Sequence, residues 1–508
     1  LADMVVENEN ETVRGLSTRH IQLITFGGGI GTGLFISTGG SLSTCGPAPL
    51  LMSYMIMSVL IWSLMNQLGE MVAFIPLPGE AMLYSMSRRY CSKSISFAAG
   101  WNLFYAQAII APAEITACSF VIQYWTDVNP AIFISIFCVI SVAVNFAPVK
   151  YFGEAEFWIS GIKILCLLGI IVVGIVIFFG GAPAQDHVLG FHYWKKPGTF
   201  TEHLTGGNTG QFLAFWTALV KSGFSFVLVP ELLTTCASET KNPRKNVPKA
   251  CGKFFYRLIF FFVMGPLVAS VIVAYNDPRL MDAVSAGASN AAASPFVIGI
   301  QNAGIPVLNH IINACILTSA CSAGNAFYYS ASRSLYAMAM KGDAPKIFAK
   351  TNKYGVPVYS VGVTGLFTLL AYLNCSNAAA VVFNWLSNIA TISGFVSWIF
   401  VSTTFLRYRK AVESQSLSDR VPYQPKYQKF GAYFCICFFS LLALTNGYGV
   451  FFPSNWSVSN FFAAYVTIPI VIVLYSVGRI AKRERKNFYD SEDVDIQDDL
   501  YRVEKEHL

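Results

Sequence analysis

Twelve apolar stretches, each near the roughly 20 residues that a helix needs to cross a bilayer core of about 30 Å, run the length of this chain and constrain its fold more than any other feature. They fall near residues 21–44, 49–70, 94–124, 131–147, 155–180, 210–238, 254–275, 307–337, 358–373, 381–406, 430–452 and 461–477. Charged residues make up only 12% of the 508, and the mean hydropathy is +0.51; soluble domains carry roughly 25% charge. An ordinary soluble globule is thereby excluded. The 12 cysteines lie scattered through apolar runs, which excludes a disulfide-rich secreted scaffold. The expectation is an all-α polytopic membrane protein with 12 transmembrane helices.

The net charge of +7 could suggest nucleic acid, but the placement of the charges points elsewhere. With the N-terminus inside, 30 of the 35 Lys and Arg fall on the inner side, only Lys195, Lys196 and Arg279 fall outside, and Lys163 and Lys221 lie within helices. Cytoplasmic loops carry such an excess. This predicts both termini cytoplasmic, contact with membrane lipids and no nucleic-acid partner. The expected segments are an N-terminal stretch (1–20), a first five-helix unit (21–180), an outer loop (181–209), a second five-helix unit (210–406), an inner loop (407–429), two further helices (430–478) and a cytoplasmic tail (479–508). No cleavable signal peptide is read before the first helix, which is expected to act as its own insertion signal. The acidic tail reads as a solvated interaction or regulatory segment. No loop is long enough for a catalytic domain, so the chain is not expected to be an enzyme and its chemistry should lie within the membrane.

Two of the apolar stretches are broken. The first holds GGGIGTG at residues 27–33, where each glycine weakens a helix by roughly 1 kcal/mol relative to alanine. Close helix packing through small residues is one reading. The other is an unwound stretch whose backbone N–H and C=O groups bind a ligand at mid-membrane, which is tolerated only beside a cavity. The sixth stretch carries Ser222 and Gly223 and then, after FSFVLV, Pro230 and Glu231. Breaks five helices apart suggest two five-helix repeats, inverted because the number is odd, with two helices appended. Half-helix N-termini attract a carboxylate and half-helix C-termini a cation. A zwitterionic amino acid presents both charges on one carbon.

The chain resembles, over nearly its whole length, the fungal (yeast) amino acid transporters of the amino acid-polyamine-organocation superfamily. The resemblance rests on RHIQLITFGGGIGTGLFISTG, CGPAPLLMSY with LGEMVAFIP, FGEAEFWISGIKIL, PELLTTCASETKNPRKNVPKA and SRSLYAMAMKGDAPKIFAK. Within the family, KSGFSFVLVPEL is most similar to the proline-permease branch, while HVLGFHYWKKPGTF is also close to acidic and broad-range members. The resemblance implies the inverted-repeat transporter fold with broken helices 1 and 6, and proton-coupled uptake of an L-amino acid across the plasma membrane. No cofactor is expected, and no metal either, since the six histidines do not pair at metal spacing and Cys435 with Cys437 in an apolar helix is too little for zinc. Proline and small neutral amino acids are the expected substrates, with acidic or broad-range transport as the alternative. A nutrient receptor on the same fold stays open as a different class. Trafficking or ubiquitin-ligation machinery is a candidate partner at the termini.

By the same resemblance, Thr32 and Gly33, flanked by Ile30 and Gly31, match the positions that hold the substrate carboxylate. The carbonyl of Gly29 and carbonyls around Phe224, Ser225 and Leu228 match those that receive the amino group. The N–H groups of Gly31, Thr32 and Gly33 open a half-helix, where an anion is favoured. Phe224 and Phe226 are expected in the unwound segment of the sixth helix, as an apolar wall. Lys163 stands where sodium-coupled relatives hold sodium, so a protonated amine takes the ion's place; the other reading is a snorkelling lysine. Ser319 and Ser322 on the eighth helix are its expected polar neighbours. Glu231 is a coupling, gating or structural acid. Glu114 faces either the pocket or another helix. Lys221 is read as architectural or gating, with attraction of an anionic side chain as the alternative.

Overall fold

A computed structural model describes residues 27–76, 83–238, 242–285, 294–375 and 379–507. The membrane helices are numbered by span. The first is broken: residues 27–29 form one turn, Ile30 and Gly31 are non-helical, and a π-helical turn, Gly33–Ser37, leads into α1, Thr38–Cys45. There follow α2 (Pro47–Phe74), α3 (Lys93–Ile122), α4 (Pro130–Phe146), α5 (Val149–Phe178), α6a (Gly207–Phe226), α6b (Val229–Ser238) and α7 (Pro243–Ile272). Then come α8 (Leu308–Met340), α9 (Val358–Thr368), α10 (Ala379–Ser414), α11 (Gln428–Thr445), α12a (Val458–Tyr465) and α12b (Thr467–Lys482). Gly46 alone joins α1 to α2 at φ +85°, a conformation that favours glycine.

All twelve predicted stretches are helical within the described residues. Eight are long and apolar enough to cross a membrane, with α6a and α6b counted together, and α12a with α12b, bent by 46°, makes a ninth. The other three depart for identifiable reasons. The first is interrupted, α4 is 17 residues long, and α8 is rich in Ser and Asn because it packs inside the protein along α3. The helix α7 starts eleven residues before its apolar stretch and α10 ends eight after, so both reach beyond the bilayer core.

Helix α5 shows how sequence assigns a face. Trp158, Leu165, Val172 and Phe179, seven residues apart, are exposed to the lipid side, whereas Glu156, Lys163, Ile170 and Ile177 are buried. Seven residues are two helical turns, so each set shares one stripe. The helices form two packed groups, α1, α2, α6 and α7 in one and α3, α4, α8 and α9 in the other, with α5 against both α7 and α8. At one end, α10 is tied to α2 by Arg409 Nε, 2.6 Å from Glu70 Oε1, and by Arg409 Nη2, which donates to Glu70 Oε2 at 2.8 Å.

The tail corrects the expectation of a solvated segment. Val494, Ile496, Leu500 and Val503 are buried in the main core, and a helix, Gln497–His507, closes the chain. Glu484 accepts hydrogen bonds from the N–H groups of Lys93 and Ser94, each at 2.9 Å. Arg89 pairs with Asp499 at 2.6 Å, and Tyr489 N–H donates to the Cys91 carbonyl at 2.9 Å. Asp343 collects Arg88 at 2.6 Å, Tyr84 at 2.5 Å and Lys482. These partners lie far from the tail in sequence, most of them on the short helix Leu83–Tyr90 or at the start of α3, so the tail's own composition carries no sign of them.

Candidate substrate site

The first break is built from glycines that other helices approach closely. A Cβ on Gly27 would meet Ser160 Oγ of α5 at 1.9 Å, on Gly29 Val229 Cγ2 of α6b at 2.5 Å, on Gly31 Glu114 Oε1 of α3 at 2.6 Å, and on Gly33 Ser225 Cα of α6a at 2.6 Å. Close packing and a local break in the helix therefore occur together in GGGIGTG. The loosened backbone groups find partners on neighbouring helices. Lys163 Nζ donates to the Gly27 carbonyl at 2.7 Å, Ser319 Oγ to the Ile30 carbonyl at 2.7 Å, and Thr32 donates to Glu114 Oε1 through its N–H at 3.3 Å and its hydroxyl at 3.0 Å. The N–H of Thr32 also lies 3.4 Å from Glu114 Oε2. A carboxylate thus already sits on the start of the second half-helix.

The second break lies at Val227 and Leu228, later than expected. Proline is tolerated in the first turn of a helix because the N–H it lacks has no partner there. Pro230 therefore belongs to the first turn of α6b, and the interruption falls just before it, where Leu228 adopts φ +55°. Phe224 and Phe226 belong to the last turn of α6a rather than to unwound chain. Phe226 is buried against Tyr54 and Phe262. Ser225 Oγ lies 2.6 Å from the Tyr54 hydroxyl, which reaches the Gly33 carbonyl at 3.5 Å, so α2 ties the two breaks together. The Phe224 carbonyl accepts from Val227 N–H, and the Leu228 carbonyl from Leu232 N–H, each at 3.3 Å. Tyr54 was not singled out in the sequence, where it is one aromatic residue among many.

Between the breaks is a void of about 10 Å³, room for one water, bordered by Gly29, Gly31, Gly33, Glu114, Phe224 and Ser225. Phe224 also borders a second cavity of about 630 Å³ and packs edge-on against Phe383 of α10. Lys221, one turn before Phe224, is exposed in that larger cavity together with His203. The small site is closed, and Phe224 borders both it and the larger space.

Lys163 is buried and does not snorkel. Besides Gly27, its amine faces Glu156, with Oε1 at 4.0 Å. Ser322 donates to that same oxygen, while Ser319 bonds the Ile30 carbonyl; neither serine bonds Lys163 itself, and only Ser322 shares a partner with it. Glu156 was missed because it falls next to the start of the predicted stretch, although its spacing of two turns from Lys163 could have revealed it. Glu231 is buried on α6b beside Trp398 and does not border the small void.

Residues 20–491 match the family model described as amino acid permease. The chain is a member of the amino acid permease family. This permease is similar to the proline-specific permease of Emericella nidulans, at 47% identity over 94% of this chain and 86% of that protein. It is similar to a probable proline-specific permease of Schizosaccharomyces pombe, at 50% over 92% and 85%. The dicarboxylic amino acid permease of Saccharomyces cerevisiae is 40% identical over 96% of this chain and 80% of its own length. A crystal structure of the Eremococcus coleocola manganese transporter shares the fold, with a TM-score of 0.58 over 98% of this chain and 99% of that one, at 11% identity. The permease is thus a polytopic, all-α transporter of amino acids across a membrane, not an enzyme.

Proposed function

We propose that this permease imports L-proline with a proton across the plasma membrane by alternating access around the two helix breaks. The observation that carries the reading is the carboxylate of Glu114 on the N–H and hydroxyl of Thr32. A substrate carboxylate offers the same acceptor oxygens, and it takes this seat and the N–H of Gly33 when α1 and α6a part. Two carboxylates in one cradle repel each other. Uptake of a proton by the displaced acid therefore favours binding. The substrate ammonium faces the carbonyls of Gly29 and of the α6 break. Phe224 covers the aliphatic ring, and with Phe383 it parts to admit substrate from the larger cavity.

Proline is favoured by the names of the relatives above and by its chemistry. Its secondary ammonium has two donors, so its site needs one acceptor fewer. The Lys163 amine at Gly27 supplies a positive charge without a metal ion and carries the coupling proton. An inward-facing tail is supported by its packing on residues 83–93, Asp343 and α10, within the ends where Lys and Arg concentrate. One observation favours a second reading. Lys221, exposed in the larger cavity, could attract the second carboxylate of an acidic substrate, and a dicarboxylic amino acid permease is among the relatives. The test is uptake of labelled proline in permease-deficient yeast, challenged with each common amino acid at two pH values. Competition by proline and small neutral amino acids alone, stronger uptake in acid and loss in Thr32→Val are expected. Equal competition by aspartate or glutamate contradicts the proline reading.

A further inference from the structure

Glu156 does not border the small void, yet it is buried within 4.0 Å of the Lys163 amine. Helical side chains lean toward the N-terminus, so the lysine runs back along α5 toward an acid two turns nearer the Val149 end. The groups facing this pair come from several helices: Glu114 and Cys118 from α3, Cys321 and Ser322 from α8, and Ser160 and Lys163 from α5 itself. The Gly27 carbonyl of the first helix faces the amine. One turn further toward the Val149 end, Phe152 of α5 stacks on Tyr329 of α8, with centroids 4.3 Å apart and planes at 12°. The Arg333 guanidinium lies 4.4 Å from the centroid of the same Tyr329 ring. All three side chains are buried. This plug lies between Glu156 and the end of the molecule where the tail packs.

We propose that Glu156 is the station through which the coupling proton leaves Lys163 for the cytoplasm, with the Phe152–Tyr329 stack as the barrier that closes this exit while the first helix holds the lysine. The inference rests on the reading of Lys163 as the coupling group. At 4.0 Å the amine and the carboxylate are out of hydrogen-bond reach, because Nζ is drawn 2.7 Å from the Gly27 carbonyl. When the first half-helix moves off, the amine loses that acceptor and swings to Oε1. The ammonium passes one proton to the carboxylate, leaving a neutral amine and a carboxylic acid. The acid then gives the proton to water on the inner side and is a carboxylate again. Lys163 regains a proton from the outer side through the substrate site. No electrons are transferred, and the pair returns to its starting charge.

The test uses the purified chain in proteoliposomes with Glu156→Gln, Glu156→Asp and Lys163→Ala. Proline exchange at equal pH needs no net proton release, whereas accumulation on a pH gradient does. Glu156→Gln is expected to keep exchange and to lose accumulation roughly 100-fold or more, the scale of a missing proton-transfer group, together with its dependence on internal pH. Glu156→Gln that accumulates proline with the wild-type internal-pH profile overturns the relay. If Glu156→Gln does not reach the vesicles, Glu156→Asp decides: a displaced internal-pH midpoint supports the relay and an unchanged one overturns it. Lys163→Ala that still accumulates proline on a proton gradient defeats the coupling reading of Lys163, and the relay with it. An uncoupled Lys163→Ala beside a coupled Glu156→Gln defeats the relay alone.

Discussion

Replacing Gly33 by alanine is expected to disable transport without preventing membrane insertion. A Cβ at Gly33 would lie 2.6 Å from Ser225 Cα, 3.0 Å from its Oγ and 3.1 Å from its N. Carbon atoms settle near 3.5–4.0 Å, so α1 and α6a must separate by about 1 Å. The obstacle is backbone, which no rotamer change relieves. Overpacking of this kind costs about 1–3 kcal/mol, and about 1.4 kcal/mol is tenfold in a population, so the closed arrangement loses roughly 5- to 150-fold of its weight. The matched control is Gly169→Ala, on the exposed face of α5, where an added Cβ meets nothing within 4 Å. Labelled proline uptake, normalised to surface abundance, should fall by roughly 5- to 150-fold in Gly33→Ala and stay at the wild-type level in Gly169→Ala. A wild-type rate in Gly33→Ala refutes the close approach of α1 and α6a as a step in transport.

Three further outcomes follow from other parts of the molecule. Lys221→Ala should leave proline selectivity intact in a competition assay; if aspartate competes with proline and this substitution removes only that competition, the dicarboxylate reading replaces proline. Arg409→Ala strands the buried Glu70 carboxylate and should destabilise the fold by about 3–5 kcal/mol, read as a lowered thermal midpoint in detergent, and an unchanged midpoint counts against the pair as a structural tie. At Glu484, burial opposes the charge, but hydrogen bonds from the Ser94 hydroxyl and the Lys93 and Ser94 N–H groups outweigh it and hold the carboxyl below its ordinary value. Tail docking is therefore supported above the ordinary pKa of about 4.3 and is lost as pH falls through the lower folded value. Hydrogen exchange at Lys93 and Ser94 should lose protection in that acid range, and in Glu484→Gln already at neutral pH; protection that persists in both refutes the contact.

What the sequence could reveal depended on whether the determining contacts were local. The spans were legible because the bilayer imposes a length on every apolar run, and Lys163 stood out as a charge inside one. GGGIGTG marked the first break because glycine weakens a helix wherever it occurs. The second break was displaced because Pro230 starts a helix as readily as it ends one. Phe226 was assigned to a pocket wall although Tyr54 and Phe262 bury it, and neither neighbour is near it in sequence. Glu156 was obscured because apolarity alone located the start of α5 six residues late. The docked tail was the least legible feature: four apolar side chains in an acidic stretch are buried in the main core, and the tail's polar partners lie near residues 83–94, far from it in sequence.

In the mechanism proposed above, a closed site between two helix breaks moves proline with a proton supplied through Lys163. The most direct measurement is accumulation of labelled proline in sodium-free proteoliposomes bearing only this protein, with the outside more acid than the lumen. Uphill accumulation is expected that collapses with a protonophore, is unchanged by added sodium, and disappears in Lys163→Ala. Saturable proline binding without accumulation, or accumulation that requires sodium, contradicts it.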